Sequence, residues 1–165
     1  DASAFRLQVK QLLAAADAEA RRAGYPAEYV KLAIYAYVAF LDESVLNSAQ
    51  PMFSAWPRQP LQEEIFGDHM AGETFFSRLQ ELRARQNSEE MADVLEVYLL
   101  CLLLGFRGKY GAGNQAGLAT LIAEVQEQIR RTRGGDAPLS PDWAPPDEVL
   151  APSRDRWLPR LAVAA

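Results

Sequence analysis

One cysteine and one histidine are all that 165 residues hold of the two side chains most used for metal binding and nucleophilic chemistry. Cys101 has no partner for an intramolecular disulfide, so no covalent staple organises the fold. That fits a reducing compartment such as a bacterial cytoplasm. Its apolar neighbours mark it as a packing residue rather than a thiolate. His69 alone cannot build a histidine-rich metal site, and any Ser-His-Asp triad would have to use it. No metal or other cofactor is expected. Basic charge is also short. The 17 Lys and Arg stand against 22 Asp and Glu, a net charge of -5, and nucleic acid needs the opposite surface. The small basic clusters, Arg21-Arg22 and Arg130-Arg131-Arg133, read as cations in the last turns of helices.

Long apolar runs and strand alternation are missing as well. Residues 95–104 are nearly all apolar, but a membrane span needs about 20 such residues. The run reads as a helix buried on most sides, the central post of the domain. No segment alternates apolar and polar residues or carries a hairpin signal, so the expected class is all-α. A first helix is expected from Ser3, as cap, to about residue 23, with Phe5, Val9, Leu12, Leu13 and Ala16 on one face and Gly24 ending it. Pro26 opens a second, running to about residue 46 and apolar round much of its circumference. Three prolines mark 47–60 as loop and turns. A short helix over 61–66 stops at Gly67. Another starts at Ala71 or Gly72 and carries Phe75, Phe76, Leu79 and Leu82. Ser88 caps the post, and a last helix spans 114–132. About six main helices make a bundle, or two small bundles sharing central helices. From residue 134 prolines dominate, so the tail is expected to be extended, with Trp143 as a possible anchor. Its end, with Arg154, Arg156, Trp157 and Arg160 beside apolar residues, has the form of a chain cut at the start of a transmembrane helix.

Three groups of residues invite chemistry. Asp42-Glu43 ends an apolar helical stretch, where carboxylates are costly to bury without partners. Neighbours i and i+1 do not share a helix face, so the pair suits an internal ion pair or cap, or a docking cleft, better than convergent acid/base catalysis. Residues 105–117 are Gly-rich before a helix, but the P-loop spacing fails. Gly111-Ala112-Gly113 with Ala116 approaches the dinucleotide fingerprint, yet a helical run precedes it where a strand is required. Phe53, Trp56, Phe75 and Phe76 are core candidates, and Glu73 and Glu96 are structural acids awaiting an Arg or backbone amides.

In chain order, Phe40-Leu41-Asp42-Glu43, Trp56, Pro60-Leu61-Gln62, Phe66-Gly67, Gly72-Glu73-x-Phe75-Phe76 and Leu95-Glu96-Val97-Tyr98 lead into Gly105-Phe106-x-Gly108-x-Tyr110. Over residues 1–133 this resembles the DotU/TssL/IcmH family. The resemblance implies an all-α cytoplasmic domain of two hook-like bundles, followed by a transmembrane helix in the bacterial inner membrane. It implies a scaffold and not an enzyme: a type VI secretion component joining TssM/IcmF-like and TssJ-like membrane proteins to TssK-like and TssE-like baseplate proteins. A type IVB IcmH/DotU component and an acid/base enzyme are the alternatives. Contact residues are then expected at Asp42 and Glu43, the family's acidic cleft pair, and at Gln50, Trp56, Gln62, Arg107 and Lys109. Glu73, Phe75, Phe76, Glu96, Gly105, Phe106, Gly108 and Tyr110 are expected to be motif residues that hold the fold.

Overall fold

Capping groups set most of the helix limits. The computed structural model describes residues 1–111 and 113–134. Among them are six α-helices: α1 (Ala2–Arg22), α2 (Ala27–Asn47), α3 (Leu61–Phe66), α4 (Ala71–Arg83), α5 (Glu89–Leu103) and α6 (Gln115–Thr132). Short 3-10 turns cover Pro51–Phe53, Trp56–Arg58 and Gly108–Tyr110, and no strand is present among the described residues. The tail expected over 134–165, with Trp143, lies from residue 135 outside the described residues.

The first cap is Asp1 rather than Ser3. Its carboxylate accepts from the Ala4 N–H at 2.8 Å and so starts the helix two residues earlier. Ser88 and Asn114 cap α5 and α6 by accepting from Met91 N–H and Gly117 N–H. α1 and α5 end in the same way. Gly24 and Gly105 turn left-handed (φ 92° and 110°), and the residues after them, Tyr25 and Phe106, donate back to Ala20 and Cys101 carbonyls. This explains the Gly-Phe pair after the post. Glycine makes the turn, and Phe106, 2% exposed, folds back into the core.

α2 and α5 run side by side in the same direction. Tyr25, just before α2, donates to Asp93 near the start of α5, and Glu43 near the end of α2 meets Arg107 just past α5. The apolar circumference of α2 is divided between two clusters. Tyr35, Ala36 and Ala39 join Phe75, Phe76, Leu79, Tyr98, Phe106 and the inner stripe of α6. Val38 and Val45 join Val9, Trp56 and Leu61. Phe75 centres the first cluster, with ring centroids 4.3 Å from Phe106, 4.7 Å from Tyr98 and 5.1 Å from Phe76.

One expectation holds with a limit and another needs correction. The post is buried on most sides, but Leu100, Leu103 and Leu104 at its end are 56%, 55% and 68% exposed. α2, α4 and α6 pack against α5, and none of them covers that side of its last turn. Leu12 and Ala16 also face outward, so Val9 is the only fully buried residue of α1.

Burial pushes the Cys101 thiol up to about 12, which removes it from thiolate chemistry. Burial, and then the hydrogen bond to Asp68, pushes the Tyr35 phenol up to about 12. Both groups are neutral in the fold, whereas the unfolded chain ionises them at ordinary values, 9.0 and 10.0. Their contribution to stability is therefore full below pH 9.0 and is lost as pH rises toward about 12. Denaturant unfolding across that range should show falling stability, and Cys101→Ala should remove the first part of the decline. A flat profile contradicts this.

Candidate functional site

The acidic pair near the end of α2 works as two clips facing different ways. Asp42 is 5% exposed. Its Oδ1 accepts from Trp56 Nε1–H at 2.8 Å and Leu61 N–H at 3.0 Å, and its Oδ2 accepts from Gln62 N–H at 2.8 Å. Leu61 and Gln62 open α3, whose N-cap position is Pro60, a residue with no side-chain acceptor. A carboxylate from another helix therefore supplies the cap, where negative charge also meets the positive end of the helix. Arg6 closes the outside of this corner. Its guanidinium lies 4.1 Å from the Trp56 ring centroid and donates to Glu64 and to the Gln59 carbonyl.

Glu43 points the other way, as adjacent helical residues must. Its two oxygens accept from Arg107 N–H at 2.7 Å and Gly108 N–H at 2.8 Å. These clip the 105–111 turn to α2. Gly108 has φ 46°, and a Cβ there would stand 2.6 Å from the Gly72 carbonyl oxygen and 3.0 Å from the Phe76 ring. Only glycine allows the turn to lie on the start of α4. Tyr110 then packs edge-on against Phe76, at 4.8 Å between centroids.

Between the clips lies a cleft of about 420 Å³. α2 contributes Ala39, Asp42, Glu43, Leu46 and Asn47, and the α3 corner contributes Pro57, Pro60, Gln62 and Glu63. Asp68, His69, Ala71, Gly72 and Phe106 complete the lining. Four carboxylates and one imidazole thus share the lining, and of the four only Glu63 pairs with His69, at 3.5 Å from its Nδ1. Asp68 accepts from Tyr35 Oη–H and from Met70 N–H. Burial works to raise its carboxyl, but those hydrogen bonds, one from Thr74 and the Arg78 charge together hold it below the usual value. The Gln62 side chain is 1% exposed, and neither its Oε1 nor its Nε2 has a hydrogen-bond partner among the described residues. It faces the Tyr35 hydroxyl without meeting hydrogen-bond geometry. A larger hollow, about 760 Å³ between α4 and α6, is lined by Arg83 and Arg131, but Glu124 and Glu127 within it pair with them.

The expected contact residues are placed unequally. Asp42, Trp56 and Gln62 are buried, so as they stand they shape the surface rather than form it. Gln50, Arg107 and Lys109 are exposed. The Lys109 ammonium lies 5.4 Å from the Phe76 ring centroid. Of the motif residues, Phe75, Phe76 and Phe106 are core. Glu73 sits exposed in the first turn of α4. Glu96 pairs with Arg133 at 3.0 Å, not with the cations past the post. Glu73 and Glu96 do not line the cleft that holds Asp42 and Glu43, so the four acids do not converge. Sequence reasoning missed Asp68, Glu63 and Tyr35. The stop at Gly67 just before Asp68 was a usable signal for a polar corner; Tyr35 carried none.

A family model described as "Type VI secretion system protein DotU" matches residues 1–165. The chain belongs to the DotU family. Two solved structures are similar to it. The cytoplasmic domain of TssL from Acinetobacter baumannii is 34% identical with a TM-score of 0.73, the match covering 80% of this chain and 84% of that one. SciP/TssL from enteroaggregative Escherichia coli 042 is 27% identical with a TM-score of 0.61, covering 88% and 80%. A comparison with curated proteins gave no match. The DotU family is a structural component of type VI secretion, not known as an enzyme, and its all-α fold is the one described above.

Two variants test the clips. Asp42→Asn replaces one acceptor oxygen by an NH₂ group facing N–H donors, and should cost about 3 kcal/mol of folding stability in denaturant titrations, since charged hydrogen bonds are the strong kind. Glu43→Gln should leave α3 in place but speed hydrogen exchange at Arg107 and Gly108 roughly tenfold, through local opening of the turn. Unchanged exchange there would show that the turn holds without the clip.

Proposed function

We propose that this chain is a docking scaffold of a type VI secretion membrane complex, linking the inner-membrane core to the cytoplasmic baseplate. The observation that carries the reading is the cleft: carboxylate-rich, partly apolar, and built on backbone fixed by two helices and two clips. Complementary charge of this kind speeds encounter and selects partners more than it supplies affinity. A basic surface on a TssK-like or TssE-like protein is the partner that fits. TssM/IcmF-like and TssJ-like proteins are the proposed membrane-side neighbours. In this reading residues 1–133 form the docking domain and 134–165 its juxtamembrane tail. Among the described residues no helix is long and apolar enough to cross a membrane. The inner-membrane location therefore rests on family membership and on the similar structure's being a cytoplasmic domain.

The roles within the site are divided. Glu63, with 39% of its side chain exposed, and the exposed Arg107 and Gln50 would meet the partner. Asp42 and Trp56 would hold the wall they stand on. Reversal of Asp42 is then a poor probe of docking, because it removes three acceptors from the corner. Glu63→Lys is the cleaner variant. Capture of the TssK-like protein of the same system should fall roughly tenfold, with folding unchanged. Glu19→Lys on α1 should capture normally. Full capture by Glu63→Lys contradicts docking at the cleft.

A further inference from the structure

Two buried polar side chains line the cleft among the described residues: Asp42 has three donors, and the Gln62 amide has no hydrogen bond. Asp42, Glu43 and Asp68 all have internal donors, and Glu63 has His69. Gln62 is at least as buried as any of them; its amide faces the Tyr35 hydroxyl, but neither end of it makes a hydrogen bond among the described residues. An unpaired buried amide is costly, and folding gains nothing from keeping it. A primary amide carries an acceptor and a donor side by side. That is the complement of one residue of an extended chain, whose own N–H and C=O point to the same side. In a helix both are already used in the i→i−4 ladder, so only an extended segment can present them. An extended segment also sends alternate side chains to opposite sides. One side would meet Leu46 and Phe106, the other the carboxylates of Glu43 and Glu63.

We propose that Gln62 is a peptide clamp: it turns its amide into the cleft and pairs in two-point fashion with the backbone of an extended partner segment that alternates apolar and basic side chains. This rests on the docking reading of the cleft and adds the chemical class of what enters it. The amide is sealed from solvent in the free protein. Binding therefore includes a rotamer change, and the relief of an unpaired group favours it.

The test uses the whole chain and two fluorescent peptides, acetyl-Lys-Val-Lys-Val-Lys-amide and the same peptide N-methylated at its central bond. Wild type should bind the unmethylated peptide about tenfold more tightly, the loss expected for a two-point hydrogen-bonded contact. Gln62→Met keeps the volume and removes the amide. It should bind both peptides equally and weakly while melting at or above the wild-type temperature. A merely structural Gln62 would instead lower the melting temperature on substitution. Equal binding of the unmethylated peptide by wild type and Gln62→Met overturns the clamp, as does a fall in melting temperature. If wild type ignores both peptides yet captures the baseplate protein, the clamp is refuted and docking stands. If Glu63→Lys also captures that protein fully, both fail.

Discussion

Two adjacent carboxylates, bound to backbone and indole N–H groups rather than to cations, hold the two ends of this domain in relation to α2. A carboxylate taken out of water needs its oxygens filled. Asp42 fills them with one indole and two α3 amides, Glu43 with two amides of the 105–111 turn. The i, i+1 spacing sends the two side chains to different faces of α2. One clip therefore secures the Trp56–Leu61 cluster and the other the aromatic cluster around Phe75. α2 is common to both, and its length of 21 residues fixes where the clips stand. The cleft between them is a consequence of that arrangement.

Local chemistry was readable in advance because it is local, the start of α1, capped by Asp1 and not Ser3, excepted. Ser88, Asn114, Gly24, Gly67 and Gly105 start or stop helices within a few residues of themselves, and their roles follow from side-chain acceptors and left-handed backbone. The apolar stripes of α4 and α6 follow from period. What stayed hidden was every decision made by distant partners. Asp42 reaches 19 and 20 residues ahead, and Glu43 reaches 64 and 65. Glu96 finds Arg133 rather than the nearer Arg107 and Lys109. The exposed leucines at the end of α5 show the same limit from the apolar side: composition says that a helix can be buried, and only packing says which face is left open.

For the site, the residue types were legible and their division of labour was not. The resemblance lists Asp42, Glu43, Trp56 and Gln62 among seven contact residues, and the fold brings these four to one corner. Burial then separates them. Asp42 and Trp56 supply rigidity, Glu43 anchors the turn that forms the opposite wall, and Glu63 and Arg107 are left facing solvent. A scaffold needs this separation. A partner recognised by charge must find that charge at a fixed place, and backbone amides held by buried carboxylates fix it without occupying the surface.

Salt dependence tests this division most directly. Affinity for the TssK-like partner would be measured at rising ionic strength for wild type, Glu43→Gln and Glu63→Gln. If Glu63 meets the partner through solvent, the loss in Glu63→Gln should shrink as salt screens it. If Glu43 acts by holding the 105–111 turn, the loss in Glu43→Gln should persist at high salt. Losses that fade alike in both variants would mean that Glu43 touches the partner as a charge, and the clip would not be the basis of the site.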